Sequence, residues 1–465
     1  MHFNKHFLKH LQLKHLPTSC KTMTFPKDLS HWATGLAPFI LLPGLLSSCS
    51  PALVATPSNP SSSASSPSVS SPSTPNAELC DRQTPLTAEE QDYAQIAWQY
   101  FDNNRQLETG LVNAADSYPS GTLWDQGNYL TALNAALWLD IIDQSEFDRQ
   151  LTAFLSGLED LPLFEDTLPH KVYNSATGEM VDYENKPTQR GLGWSALDIG
   201  RMLTALHITR ACHPQYAESI ESAIAHWDLA NSVENGQLFG ATVLPDGKTQ
   251  LVQEGRLGYE EYAAKGYELW GYKVPEALKL EPMIAVKLEN VEIPADSRDF
   301  ATTNANNYVV SESYILEGIE FGLNDNLEAV AKRLLKAQEQ RFERTGELTA
   351  VSEDNIDRAP HFLYNTAYAN GEPWAVITSE NEPHPELRTL STKAAFGWRY
   401  LFPEDKYAQQ VFETAKTLKD PAGGGFYAGQ YEVSDEPNKI LTGNTNGLIL
   451  EILYYKARDN QPLLD

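Results

Sequence analysis

Two chemically different kinds of helical segment alternate along this chain, and that alternation restricts its fold more than any single motif does. One kind is amphipathic and charged. Residues 89–104, 144–158, 213–230, 325–345 and 403–418 each carry one apolar stripe and one wet face. The other kind is rich in Gly, Ala and aromatic residues, with its polar residues gathered at the N-terminal end. Its six members are WDQGNYLTALNAALWL, GWSALDIGRMLTAL, GYEEYAAKGYELWG, SESYILEGIEFG, LSTKAAFGWRYL and NTNGLILEILYY. They predict helices near 125–142, 193–209, 258–271, 311–323, 387–401 and 442–457. A helix apolar on all sides must be covered on all sides, whereas a striped helix covers something and faces water. Six of the first sort alternating with five of the second predict an all-α (α/α)6 toroid, inner helices ringed by outer ones. Only the segment after Gly271 lacks a clear outer partner, and 275–280 is the candidate for a stunted one. Start signals agree with these bounds: Thr87 before Glu89 and Glu90, Asp143 before 144–158, and Pro214 at the opening of 213–230. Long β-like stretches occur only between helices, at 237–252 and 283–293.

In such a toroid the loops entering the inner helices converge at one end. Here they are long: 105–124, 159–192, 231–257, 272–310, 346–386 and 419–441. Long ordered loops are more often functional than connective, so a site is expected at that end, with β-hairpins in some of the loops. Carboxylates and aromatics collect there too. Trp124-Asp125 opens the first inner segment, Trp194 and Asp198 with Arg201 lie on the second, and Glu254 and Arg256 precede the third. Tyr259, Glu260, Glu261 and Tyr262 open that third segment, and Glu312 and Tyr314 open the fourth.

Each of these has a structural reading beside the functional one. Asp198 and Arg201 stand i,i+3 on one helix, the spacing of a local salt bridge. An acidic residue in a first helical turn is stabilised by the helix dipole, which accounts for Asp125, Glu260 and Glu312 without catalysis. Glu260 and Glu261 are adjacent and point in different directions, so at most one faces the axis. Glu254 has no such excuse, because it sits in a Gly-flanked loop, EGRLG, ahead of the helix. It is the leading catalytic candidate, followed by Asp125, then Glu261 and Asp354. Trp124 and Trp374 sit in or beside loops and suit sugar stacking, whereas the other tryptophans suit a core.

The N-terminal region has its own chemistry. The apolar stretch 32–46 ends in Leu46-Ser47-Ser48-Cys49. Fifteen residues broken by Gly and Pro are too short to span a bilayer comfortably but suit the apolar region of a signal peptide. Leu-Ser-Ser-Cys resembles a bacterial lipobox, which implies a leader over 1–48, with Met23 as an alternative start, and lipidation of Cys49. Residues 50–76 hold 11 Ser and 6 Pro in 27 positions and no charge, a tether that cannot bury a core. The expected domain map is 1–48 leader, 49–83 lipidated Cys and tether, and 84–465 globular. Cys80 and Cys212 are the two cysteines left in the globular part; they could pair in an oxidising compartment or remain two buried thiols. The leader carries five Lys and one Asp, so without it 30 basic residues face 61 acidic ones, a net charge of −31. Such a surface repels nucleic-acid backbones and anionic headgroups, so no nucleic-acid partner is expected.

Other chemistries lack their residues. GxSxG, HExxH and GxxxxGK[ST] are absent, and Gly191-Leu-Gly-Trp-Ser-Ala196 enters a helix with no strand before it. The six histidines after the tether show no metal-ligand spacing, and no cofactor is expected.

TLWDQGNYLTALNAALWL, PHKVYN, GWSALDIGRML, QEGRLGYEEYAA, SESYILEGIE and NTNGLILEILYYK, in that order, resemble an uncharacterised bacterial domain family of glucoamylase-like (α/α)6 type. The likeness runs from about 88 to 458, in a clan that includes inverting glycoside hydrolases such as endo-β-1,2-glucanases. It implies a sugar-directed cleft with an acidic pair: an acid at Glu254 or Glu261, and a base at Asp354 or Asp357. Substrate contacts are expected from Trp124, Lys171, Tyr173, Trp194, Arg256, Tyr259, Glu312, Tyr314 and Trp374. An inverting pair needs its carboxyls roughly 6.5–9.5 Å apart, one protonated and one ready to activate water. The leading expectation is therefore a membrane-anchored, envelope-exposed glycoside hydrolase acting on a polysaccharide or glycan. The alternative is a non-catalytic carbohydrate-binding or envelope-assembly lipoprotein, whose carboxylates would be paired with Arg256 or Arg201. A polysaccharide lyase fits poorly, since its acidic substrate would be repelled.

Overall fold

The computed structural model describes Cys80 and residues 84–464. The chain divides at 71/72, and every described residue lies in the second unit. The expected leader, Cys49 and the Ser/Pro-rich segment 50–76 lie outside the described residues.

Twelve helices are present among the described residues: α1 (Ala88–Asn104), α2 (Leu123–Trp138), α3 (Gln144–Glu159), α4 (Ala196–Cys212), α5 (Ala217–Ile224), α6 (Tyr259–Leu269), α7 (Phe300–Thr303), α8 (Glu312–Glu320), α9 (Asp325–Thr345), α10 (Thr392–Leu401), α11 (Lys406–Ala415) and α12 (Gly443–Ala457). Eleven coincide with the expected segments. The four-residue α7 was not anticipated, and residues 275–278 form a turn rather than a stunted outer helix. The caps explain the bounds. Thr87 accepts from the Glu90 amide while Glu90 accepts from the Thr87 amide, a reciprocal box that starts α1. Asp143 accepts from the Glu146 amide at the start of α3.

Burial separates the two kinds of helix as their composition requires. Every residue of α8 is buried, and α12 leaves only Asn444 and Lys456 partly open. By contrast α9 buries one stripe, Leu327, Val330, Ala331, Leu334, Leu335, Ala337, Gln338 and Arg341. The covered helices pack in chain order: α2 on α4, α4 on α6, α6 on α8, α8 on α10, α10 on α12, and α12 back on α2. Outside them α1 lies on α12 and α2, α3 on α2, α5 on α4, and α11 on α10. The architecture is of the (α/α) type.

Glycines let α4 and α6 approach closely. A Cβ on Gly266 would stand 2.2 Å from the Gly200 carbonyl oxygen, and one on Gly200 would stand 2.7 Å from Ala263 Cα. Beside this contact Arg201 is fully buried. It pairs with Glu320 of α8 and with Glu451 of α12 at 2.9 Å. It also donates to Tyr262 of α6 at 2.7 Å and to Asn128 and Thr131 of α2 at 3.0 and 3.1 Å. One guanidinium thus joins five covered helices, and the local pair with Asp198 expected from the i,i+3 spacing does not form. The partners on α8 and α12 win because they meet the charge where water is absent.

The β-like stretches are antiparallel hairpins. Gln237–Val243 pairs with Thr249–Gln253, and Met283–Leu288 with Val291–Asp296. Two three-stranded sheets occupy later loops: one has Phe362–Asn365 between Glu353–Asn355 and Val376–Ile377, the other Tyr427–Tyr431 between Thr389–Ser391 and Pro437–Leu441. A disulfide joins Cys80 to Cys212, the last residue of α4. Among the described residues no helix is long and apolar enough to cross a membrane.

Candidate active site

The first turns of the covered helices carry the polar groups. Asp125 is the third residue of α2, and its Oδ2 accepts from the Thr122 amide and hydroxyl, both at 2.9 Å. Glu261 plays the same part on α6, accepting from the Gly258 amide at 2.6 Å. Both therefore cap helices, as the dipole argument allows. Glu261 is buried, and burial pushes its carboxyl up to about 8, against the amide bonds.

One wall of the site forms where the loop after Thr249–Gln253 meets α4. Glu254 Oε2 accepts from the Ala196 amide, the first of α4, at 2.6 Å. Burial raises the Glu254 carboxyl, while the Lys171 charge and the α4 amides favour its ionised form. Half-buried Asp198 stands in the same turn. Burial first, then the charges of Glu254 and Asp125, push it up to about 8. Two like charges in one apolar setting do not ionise together, so Asp198 holds a proton at neutral pH beside Glu254.

The other wall is the strand Glu353–Asn355. Side chains alternate across a strand, and here Asp354 turns inward while Glu353 and Asn355 remain half-buried. Tyr259 donates to Glu353 Oε1 at 3.1 Å. Burial, then the Glu312 charge, push Glu353 up to about 8. Asp354 lies 3.5 Å from Lys393 Nζ, and burial lifts it to about 6 with Lys393 opposing. Lys393 also pairs with Glu312. The half-buried carboxylate of this strand is thus Glu353, one position from the expected Asp354, which is buried. Asp357 instead anchors a loop, accepting from the Tyr431 hydroxyl at 2.6 Å and the Lys439 amide at 3.0 Å.

Aromatic rings connect depth to surface. Trp124 meets Tyr259 at 5.4 Å, Tyr259 meets Tyr308 at 5.9 Å, Tyr308 stacks on Tyr364 at 4.3 Å, and Tyr364 meets Phe362 at 5.3 Å. The row runs from Trp124 and Tyr259, 9 % and 3 % exposed, to Phe362 at 37 %. Tyr308 and Tyr364 lie in the fields of both Glu254 and Glu353, so both carboxyls are near the stacked pair. Tyr183, 69 % exposed, stands near Asp198 and Glu254. Flat apolar rings beside a few polar groups are the mix that ligand sites use.

Several residues expected to contact substrate are engaged in bonds within the protein. Tyr173 is buried, donating to the Pro162 carbonyl at 2.9 Å and accepting from the His170 amide. Trp194 is buried and donates to the Phe239 carbonyl. Buried Arg256 ties its loop to Gln253, Gly255 and Thr303. Tyr314 is buried under Gly258, and Trp374 donates to Glu289 beneath Arg341. Glu260 is held by Arg298 at 2.7 Å. Sequence reasoning missed Glu353, Tyr183, Tyr308 and Tyr364, and it treated Asp198 as half of a salt bridge. The loop tyrosines carried a signal in their clustering within 159–192, 272–310 and 346–386, although nothing local ranked them above other loop aromatics. Among the described residues no group of three or more His, Cys, Asp or Glu could hold a metal ion.

Residues 92–459 match the family described as Protein of unknown function (DUF3131), and the chain belongs to that family. No curated protein matches the sequence. Solved structures share the fold. A provisionally assigned glucoamylase from Bacteroides fragilis superposes with a TM-score of 0.58 at 13 % identity, covering 82 % of this chain and 96 % of that one. An endo-β-1,2-glucanase from Chitinophaga pinensis, solved with sophorotriose and glucose, gives 0.56 at 14 % identity over 81 % and 96 %. An endo-β-1,2-glucanase from Talaromyces funiculosus, solved with sophorose, gives 0.54 at 12 % identity over 80 % and 84 %.

Proposed function

We propose that this DUF3131 protein is a glycoside hydrolase, built as an (α/α)6 toroid and acting on a polysaccharide or glycan by an inverting mechanism. The observation that carries the proposal is the pair Glu254 and Glu353, both close enough to Tyr308 and Tyr364 to act on them electrostatically and held in unlike surroundings. Burial and Glu312 keep Glu353 protonated up to about pH 8, as a general acid must be. Lys171 and the Ala196 amide favour charge on Glu254, as a general base requires. Glu353 then protonates the departing glycosidic oxygen while Glu254 takes a proton from the attacking water. This reverses the acid role expected for Glu254, because charge environment rather than position along the chain sets protonation. The circular packing of the covered helices supports the toroid.

The binding-only alternative required carboxylates neutralised by Arg256 or Arg201. Arg256 bonds neutral groups, and Arg201 is spent on Glu320 and Glu451, which favours turnover. The lipobox-like Leu46–Cys49, the uncharged tether and the Cys80–Cys212 disulfide support lipid anchoring in an oxidising envelope compartment.

The test is reducing-end release by the purified protein from β-1,2-, β-1,3- and α-linked glucans. The two β-1,2-glucanases of like fold make β-1,2-glucan the first to try. Product anomers read by NMR must be inverted. Glu353→Gln is expected to retain turnover of an aryl glycoside, whose leaving group needs no protonation, and Glu254→Gln to lose it. The opposite pattern exchanges the roles. Glycan binding without release by the wild-type protein ends the hydrolase proposal.

A further inference from the structure

Three side chains on different covered helices carry polar atoms that are buried and meet no partner among the described residues: Trp124 Nε1, Glu312 Oε1 and Asn444 Oδ1. Native proteins leave few such atoms, and each costs what a lost hydrogen bond costs unless water or a ligand satisfies it. Glu312 and Asn444 are bonded neighbours, and Trp124 is linked to Glu312 through Tyr259. Asn444 Nδ2 donates to Glu312 Oε2 at 3.4 Å, leaving the other oxygen of each group free. Trp124 packs on Tyr259, whose hydroxyl bonds Glu353 and lies in the field of Glu312. All three stand in the first turns of α2, α8 and α12, at the end where Glu353 sits. Trp124 and Glu312 are 9 % and 1 % exposed.

We infer that Trp124, Glu312 and Asn444 form the floor of a subsite that takes one uncharged pyranose unit through its hydroxyls. The inference rests on the hydrolase proposal for its place in the cleft, and it adds the substrate class. The free atoms are one N–H donor and two oxygen acceptors, the set that a vicinal diol satisfies, since each hydroxyl both gives and accepts. A uronate carboxylate offers acceptors only. It would meet Glu312, Glu353 and Asp354, with the nearby cation Lys393 already engaged by Glu312 and Asp354. A hydroxyl-bearing site that leaves its own buried groups unpaired discriminates strongly against the wrong ligand.

The test is calorimetric titration of the intact protein with glucose, galactose and mannose, and with glucuronate and galacturonate. At least one neutral hexose is expected to bind, with both uronates at least about tenfold weaker. Trp124→Phe keeps the ring and removes the donor; Asn444→Ala removes an acceptor. Each is expected to weaken the hexose by about tenfold at unchanged melting temperature. Uronates binding as tightly as hexoses, no binding by any sugar, or unchanged affinity in both variants overturns the inference. Monosaccharides contain no bond to cleave, so the two proposals fail separately. Hexose binding without glucan cleavage sinks the hydrolase and leaves the subsite. Cleavage with hexose affinity untouched in both variants sinks only the subsite.

Discussion

Arg201 Nη2 donates to Glu451 Oε2 across 2.9 Å, a bond between residues 250 positions apart that ties α4 to α12 in the dry centre of the molecule. Breaking a buried ion pair on one side leaves uncompensated charge. Arg201→Met is expected to cost about 3–5 kcal/mol in urea unfolding, because Glu320 and Glu451 lose their counter-charge. Adding Glu320→Gln and Glu451→Gln should restore much of the loss. A single variant that loses less than about 1 kcal/mol would show that the hub does not hold the helices together.

Stability should fall as pH rises. Asp198, Glu261 and Glu353 bind protons in the folded chain up to about 8, against 3.8, 4.5 and 4.5 in ordinary surroundings. The folded state therefore holds more protons than the unfolded state across that window. The stabilisation from these three groups is complete below pH 4 and is lost as pH climbs through 8. Melting temperature measured between pH 5 and 8 should decline, and Glu353→Gln should make the decline shallower. An unchanged slope would mean Glu353 is ionised in the folded protein.

The pH profile of kcat/KM should be bell-shaped, with its alkaline limb near 8 from Glu353. Lys171 favours the charge on Glu254, so Lys171→Met is expected to move the acidic limb to higher pH and leave the alkaline limb in place. Movement of the alkaline limb alone would assign the base elsewhere.

Cys80 and Cys212 close a loop of 132 residues. Cys80→Ser with Cys212→Ser is expected to destabilise the protein by about 2–4 kcal/mol, mainly by freeing the unfolded chain. Thermal unfolding of the wild type with and without reductant should reproduce the difference. Coincident transitions would show that the bond is absent in solution.

Gly266→Ala adds the better helix former, yet it should destabilise. The new Cβ would meet the Gly200 carbonyl at 2.2 Å, so α4 and α6 must separate. The overpacking cost of about 1–3 kcal/mol exceeds the gain of roughly 1 kcal/mol in propensity. Unfolding free energy in urea checks the sign, and a stabilised variant would refute the close approach.

Much of the fold was legible because helix burial is written in local composition. A stretch such as NTNGLILEILYY gathers its polar residues mainly in its first turn, and α12 is accordingly buried except at Asn444 and Lys456. The N-terminal end of the covered helices was legible as the site for the same reason, since their polar residues had nowhere else to go. Individual roles were less legible. Asp354 was expected and is buried, while Glu353 beside it is half-buried, a one-residue difference that only strand orientation sets. Asp198 has Arg201 at salt-bridge spacing, yet that guanidinium is claimed by α8 and α12. Tyr308 and Tyr364 lie in separate loops and become a stacked pair only when those loops meet.

By itself, then, the sequence determined which segments are helices, which of them water cannot reach, and at which end the long loops gather. Those properties depend on hydrophobic periodicity within a few turns of chain. The tertiary structure alone decided which carboxyls are pushed toward their protonated form, which are neutralised and which loop rings stack on one another. Burial, charge proximity and hydrogen bonding act through space, and the atoms that set them for Glu254, Asp198 and Glu353 come from segments tens of residues or more away.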